Sequence, residues 1–333
     1  MSTMSAVGAI HGLPVSDADS LRDVTVARPS VGPLDVLVRV HAVSINPVDV
    51  KVRAGLPQHD EPRVLGWDAA GVIEEVGADV TDLSIGDEVW YAGDLTRAGS
   101  NADFQSVDSR VVARKPASLD WGEAAALPLT MLTAWESLFD HMRIATADHG
   151  TLLVVGGAGG VGSATIQLAR ALTDLTVLAT ASRDESRDWA LELGAHHVVN
   201  HHALADGVLA IAPQGVDYVL STHSEGNIET YANIVRPFGQ ITAIDDPKSL
   251  DLMPLKLRAL SWHWELMFTR TMFSTPDIAE QGRILGEVAK LVDSGSLRTT
   301  VTTTLQGMTA ETMREAHRLV ETGQTIGKVV VVR

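Results

Sequence analysis

Residues 151–170 read TLLVVGGAGGVGSATIQLAR, and their types and order point to phosphate binding. An apolar run (Leu152, Leu153, Val154, Val155) breaks into Gly156, Gly157, Gly159, Gly160 and Gly162. It resumes at helical spacing through Val161, Ile166, Leu168 and Ala169. Strand, glycine turn and helix together present free backbone N–H groups and the positive end of a helix dipole to an anion. The spacing Gly157-x-Gly159-x-x-Gly162 fits a dinucleotide fingerprint. Its first glycine allows the tight turn, the second lets the backbone approach the pyrophosphate, and the third lets helix pack on strand. A bare G-x-G-x-x-G is weak evidence, but here the flanking strand and helix that give it meaning are both present.

The residue closing the second strand of such a unit selects the dinucleotide. An acidic side chain takes the ribose 2′-OH of NAD, whereas a hydroxyl or basic environment accepts the 2′-phosphate of NADP. Here Thr176-Val-Leu-Ala-Thr-Ala181 runs into Ser182 and Arg183. Ser182 can donate a hydrogen bond, Arg183 carries a planar, permanently charged fork suited to phosphate, and Arg187 stands one turn on. Asp184 lies past the expected strand end, where capping a helix is the simpler role. NADPH is therefore the expected cofactor.

The chain has no cysteine, which excludes disulfides, a Cys nucleophile, iron–sulfur clusters and thiolate zinc sites. Its twelve histidines include His196-His197 and His201-His202, but neither pair has the i, i+4 spacing of a helical metal motif. No metal site is expected.

Elements that must position these residues follow from the patterning. With 333 residues, about two domains is the natural expectation, and 45% hydrophobic with 20% charged residues describes a folded chain. A net charge of −16 argues against a general affinity for nucleic acid or anionic membrane. Neither a signal peptide nor an uninterrupted membrane-length apolar stretch is visible, so a cytoplasmic protein acting on a small molecule is expected. Up to about residue 125 the chain reads as short strands and turns, including 36–43, 71–77, 86–91 and 108–114, as in a compact β barrel or sandwich. From Asp120 alanine-rich helix appears, interrupted by Pro128 and continued over 130–139. Strands at 151–155, 175–180, 196–199, 216–220 and 238–244 then alternate with helices at 161–172, 184–193, 204–211 and 227–235. That rhythm implies a parallel sheet with helices on both faces. A strand over 260–268, a helix over 276–292, a strand over 299–305, a helix over 309–321 and a strand over 327–332 close the chain. The organisation expected is a dinucleotide-binding domain, 126–269, inserted into a β-rich domain built from 1–125 and 270–333.

Several blocks together resemble the medium-chain dehydrogenase/reductases, specifically the zinc-independent quinone oxidoreductase branch. They are Ser44-Ile-Asn-Pro-Val-Asp-Val-Lys51, Val64-Leu-Gly-Trp-Asp-Ala-Ala-Gly-Val72, Gly86-Asp-Glu-Val89, Ala124-Ala-Ala-Leu-Pro-Leu-Thr130, Thr133-Ala-Trp135, the AGGVG turn at 158–162, and Gly194-Ala-His-His-Val-Val-Asn200. The resemblance covers nearly the whole chain, and a subgroup similar to it often carries the label "zinc-binding alcohol dehydrogenase family". It implies an α/β fold, a Rossmann doubly wound parallel sheet inserted into a β-rich GroES-like domain. Zinc alcohol dehydrogenases of this superfamily place a Cys where Asn46 stands, Gly-His-Glu where Gly66-Trp67-Asp68 stands, and a further Cys near Leu129. The four-cysteine structural-zinc lobe is also missing between Tyr91 and Phe104. The resemblance thus implies hydride transfer from NADPH to a quinone or an α,β-unsaturated carbonyl without zinc, and a homodimer paired through the strand at 260–268. A non-catalytic NADPH-binding or sensing protein is the alternative.

Site residues follow from that resemblance. Asn46 is placed beside the nicotinamide, although an asparagine before proline is also a plain turn former. Lys51 can donate to a substrate oxygen or stand as a surface lysine, and Tyr91 is the expected proton donor. Asp49, Trp67, Asp94 and Thr130 border the expected pocket; Trp67 can equally be core. Thr133 is assigned to the nicotinamide ribose, Gly157, Gly159, Gly160, Val161 and Gly162 to the pyrophosphate, and Ser182 and Arg183 to the adenosine phosphate. His201 stands near the adenosine ribose, and Phe268 and Lys328 are expected to close over the cofactor.

Overall fold

In the computed structural model, which describes residues 2–333, the chain divides into two units: Met1–Leu129 with Phe268–Arg333, and Thr130–Met267. The fold class is the expected one, α/β with a Rossmann-type parallel sheet in one unit and a β-rich GroES-like unit beside it in the sequence.

The unit Thr130–Met267 is built on six strands in the order His197–Val199, Thr176–Thr180, Thr151–Val154, Val216–Ser221, Val235–Ala243 and Ser261–Trp264. Every neighbouring pair is parallel. A parallel sheet covered on both faces needs continuous apolar strands rather than alternation. Leu152, Leu153 and Val154 accordingly have no exposed surface. The core joins Leu153, Leu178, Val208, Val219, Tyr231 and Ile241. The strand expected over 260–268 is shorter, Ser261–Trp264, at the sheet edge. Pro128 does not interrupt a helix but begins one, Pro128–Trp135, where its missing N–H costs nothing. Glu136–His141 continues it as a π-helical turn.

In the other unit a seven-stranded sheet runs Val301–Gln306, Lys328–Val332, Asp35–Ile45, Asp68–Val76, Glu88–Tyr91 and Ala113–Arg114, with Phe104–Asp108 also paired to Asp35–Ile45. All pairs are antiparallel except Val301–Gln306 with Lys328–Val332. A smaller sheet joins Arg22–Ala27, Thr3–Ala9 and Arg63–Val64. The strand expected at 108–114 is broken by a 3₁₀ turn, Ser109–Val111. The Asp108 carboxylate accepts from the Arg110 N–H at 3.0 Å and so competes with the ladder for the backbone. The helix expected from residue 276 starts at Glu280, after a turn in which the Glu280 N–H donates to the Asp277 carbonyl.

Helix Ala310–Glu321, capped by Thr309, buries His317 completely, and neither ring nitrogen of His317 has a partner. Burial, then the positive charge of Arg53, pushes its pKa down from 6.5 to about 3. An unfolded chain takes up a proton at this imidazole below about pH 6.5, whereas the folded chain refuses it until about pH 3. Stability is therefore lost as pH falls through that window. Replacing His317 with Leu should raise the melting temperature at pH 5 and flatten its decline toward pH 4, both read by thermal denaturation.

Candidate active site

Two groups of residues carry chemistry, one in each unit. In the β-rich unit, strand Asp35–Ile45 lies between Lys328–Val332 and Asp68–Val76, with Val329 opposite Ile45, Val330 opposite Ser44, and Ser44 opposite Asp68. That register brings Lys328, Asn46 and Asp68 to one end of three adjacent strands. Asn46 leaves the strand as the N-cap of helix Pro47–Ala54, with Pro47 at the first helical position.

The three side chains bond one another out of solvent. Lys328 Nζ donates to Asn46 Oδ1, to the Ile45 carbonyl at 3.3 Å and to Asp68 Oδ2 at 3.4 Å. Asn46 Nδ2 donates to Asp68 Oδ2 at 3.0 Å and to the Ser44 carbonyl at 3.4 Å, and the Leu129 N–H donates to Asp68 Oδ1 at 2.9 Å. Asp68 and Asp49 have no exposed surface, and Asn46 and Lys328 keep 1% and 4%. Burial pushes the Asp68 carboxyl up and the Lys328 ammonium down. Their mutual attraction opposes this, and the three donors on Asp68 hold the charged form. Asp49 accepts from the Asn46 N–H at 2.7 Å through Oδ2, while its buried Oδ1 has no partner. Burial pushes Asp49 up to about 7, with Asp68 adding to the rise and Lys328 opposing it.

Several expected site residues lie in this cluster or in the packing around it. Asn46 has both amide hydrogens and its oxygen engaged inside the unit. Tyr91 has no exposed surface, its hydroxyl has no partner, and burial raises its pKa. Lys328 holds Asn46 and Asp68. Phe268 is likewise turned into packing, 2% exposed and edge-on to Trp67 with ring centroids 6.3 Å apart. Trp67 is fully buried and donates to the Asp94 carbonyl at 2.8 Å, and the Asp94 carboxylate accepts from Thr96. Lys51 remains exposed on the last turn of helix Pro47–Ala54.

In the Rossmann unit, the turn after strand Thr151–Val154 places its positive φ, +73°, at Gly156 rather than Gly157. Gly162 is required by packing: a Cβ there would lie 2.2 Å from the Gly156 carbonyl oxygen. At Gly159 a Cβ would approach only the Gly156 oxygen, at 3.5 Å, so the fold itself leaves that side open. Helix Gly160–Leu172 begins at Gly159 without a side-chain cap. The first-turn amides of Gly160, Val161 and Gly162 are thus the uncapped donors of a helix start. Gly156 N–H donates to Thr180 Oγ1 at 2.9 Å, tying the turn to the next strand. That strand ends at Thr180; exposed Ser182 follows, and exposed Arg183 sits at the N-cap of helix Asp184–Glu192. Asp184 is therefore the first helical residue and not the cap. His201 is exposed in a 3₁₀ turn, its ring 4.2 Å from that of His202. Thr130 and Thr133 are both buried.

Residues 32–117 match the alcohol dehydrogenase GroES-like domain, and residues 193–331 match the zinc-binding dehydrogenase domain. A Staphylococcus aureus zinc-type alcohol dehydrogenase-like protein is 39% identical over 89% of this chain and 90% of its own length. The chain belongs to the medium-chain dehydrogenase/reductase family. A Rhizobium etli protein provisionally described as a zinc-dependent alcohol dehydrogenase is 48% identical, with a TM-score of 0.96 over 100% of this chain and 99% of that one. The quinone oxidoreductase of Coxiella burnetii, 26% identical, superposes at a TM-score of 0.83 over the full length of both. This chain is thus an oxidoreductase of the medium-chain family.

Zinc, named for several of these relatives, does not fit the donors present. Asn46, Trp67 and Leu129 stand where the resemblance puts a Cys, a His and a Cys. The Asn46 oxygen faces an ammonium, the Trp67 nitrogen is a donor already bonded, and Leu129 offers no ligand atom. Among the described residues no three His, Cys, Asp or Glu side chains converge to hold a metal. Asp68 is absent from the residues the sequence nominates, and its buried pairing with Lys328 is visible only in the structure. A visible signal was a lysine opening the otherwise apolar strand Lys328–Val332, because a charge that leads such a strand needs a buried partner.

Asp49→Asn keeps an acceptor for the Asn46 N–H while removing a carboxyl whose ionisation is disfavoured in the fold. A carboxyl raised from 3.8 to about 7 costs stability progressively as pH climbs between those values. The variant should be more stable than the parent at pH 8, by roughly 2–4 kcal/mol, and the gain should vanish near pH 4. Urea denaturation at the two pH values reads it.

Proposed function

We propose that this protein uses NADPH to reduce quinones or alkenes conjugated to a carbonyl, without zinc. The observation that carries the reading is the glycine turn and uncapped helix start at 156–162, followed at the next strand end by Ser182 and Arg183 in place of an acidic residue. Bound NADPH would supply hydride. Gly160, Val161 and Gly162 would hold its pyrophosphate with backbone amides, while Gly157 and Gly159, whose own N–H groups donate to the Thr180 and Gly156 carbonyls, would shape the turn against it. Ser182 and Arg183 would hold the 2′-phosphate, Arg183 through a charge-assisted fork. His201, Thr130 and Thr133 complete the proposed cofactor and pocket contacts.

The acceptor class follows from what the chain's own groups can do. Hydride addition to a quinone or enone spreads negative charge onto an oxygen through conjugation, so hydrogen-bond donors suffice to stabilise it. With Tyr91 and Asn46 turned inward, exposed Lys51 is the donor this reading keeps for the substrate oxygen. Order and spacing of the motif blocks support the quinone branch of the family. A homodimer formed through edge strand Ser261–Trp264, where Trp264 is half-exposed, is part of the same reading. No helix among the described residues is long and apolar enough to cross a membrane.

The test is direct. Purified protein is mixed with NADPH or NADH and a panel of quinones, enones and simple alcohols while cofactor absorbance is followed. The expected result is acceptor-dependent oxidation of NADPH. Saturable NADPH binding with no turnover on any acceptor would favour the sensing alternative, and a preference for NADH would overturn the cofactor assignment. Arg183→Ala should weaken NADPH binding by roughly 10- to 100-fold, with little change for NADH, read by titration calorimetry.

A further inference from the structure

A buried cluster in the β-rich unit forms a closed shell of acceptors around a cation that belongs to the protein. An ammonium has three hydrogens, and Lys328 Nζ meets three acceptors: Asn46 Oδ1, the Ile45 carbonyl and Asp68 Oδ2. Nζ and Asp68 are held without solvent, where an unpaired charge of either sign is strongly disfavoured. Asp68 is closed by further donors from Asn46 and the Leu129 backbone. A divalent ion placed among these groups would have to expel a buried ammonium, and it would find only amide and carboxylate oxygens, no thiolate and no imidazole.

We infer that the Lys328 ammonium is the fixed cation of this buried cluster, standing in for the metal ion that the names of its relatives imply, so that the chain binds no zinc there. Lys328 neutralises Asp68 and fixes the Asn46 amide, and it does so from a strand more than two hundred residues away in sequence. The consequence is a site whose positive charge is covalently attached, indifferent to chelators and to metal supply.

Three measurements test this without any substrate, so their outcome stands apart from the quinone reading. Elemental analysis of the untagged protein should find zinc far below one equivalent, and neither chelator nor added zinc should move its melting temperature. Lys328→Met should lower the melting temperature by roughly 5 °C or more, because it strands the Asp68 charge. The double variant carrying Lys328→Met and Asp68→Asn should recover most of that loss, compared with Asp68→Asn alone as the reference. One tightly held zinc per chain, with a melting temperature that falls on chelation, would overturn the inference. So would additive losses in the double variant. Should Lys328→Met fail to fold, the double variant and the metal content of the parent still decide the matter.

Discussion

An ammonium and a carboxylate that both lie out of water can be stable only together, and here three neighbouring strands bring them together. Strand Asp35–Ile45 is the shared neighbour, paired on one side with Lys328–Val332 and on the other with Asp68–Val76. A slip of one residue in either pairing would turn every side chain of the slipped strand to the opposite face. Lys328 would then lose Asp68, and Val329 to Val331, now fully buried, would lose the core. Charge pairing and apolar burial therefore specify the same register, and the helix that begins after Asn46 inherits its position from it.

In the Rossmann unit the corresponding constraint is steric. Gly162 sits against the Gly156 carbonyl so closely that no side chain is tolerated, which fixes how helix Gly160–Leu172 leaves strand Thr151–Val154. Gly159 is different in kind, since nothing in the protein crowds its Cβ direction. One glycine serves the packing and the other leaves a space beside unsatisfied amides. That contrast is what the proposed pyrophosphate cradle requires of its glycines.

Family membership and metal chemistry separate cleanly at this level. The fold and the chain-length similarity place the protein among proteins named for zinc, yet the chemistry at the equivalent positions is that of an amide, an indole and an aliphatic side chain. A fold can keep its strand order and loop placement while the groups at one site change completely. An ammonium fits there because its three donors meet three oxygen acceptors without any soft ligand.

Local pattern was enough to determine most of the elements, because apolar spacing and glycine or proline punctuation act over a few residues. The strand–turn–helix at 151–172, the parallel alternation to residue 243 and the Ser182-Arg183 junction are all local features. Pattern was less informative where a side chain competes with the ladder, as Asp108 does, and where Pro128 begins a helix instead of stopping one. Sequence alone could nominate Asn46, Tyr91, Phe268 and Lys328 but not orient them. Lys328 and Asp68 are 260 residues apart, and Arg53 and Glu321 are 268 apart. Whether a polar side chain faces a ligand or a buried partner depends on which distant strands become neighbours. Only the tertiary structure makes that choice, because burial and charge pairing are properties of the assembled neighbours rather than of the residue itself.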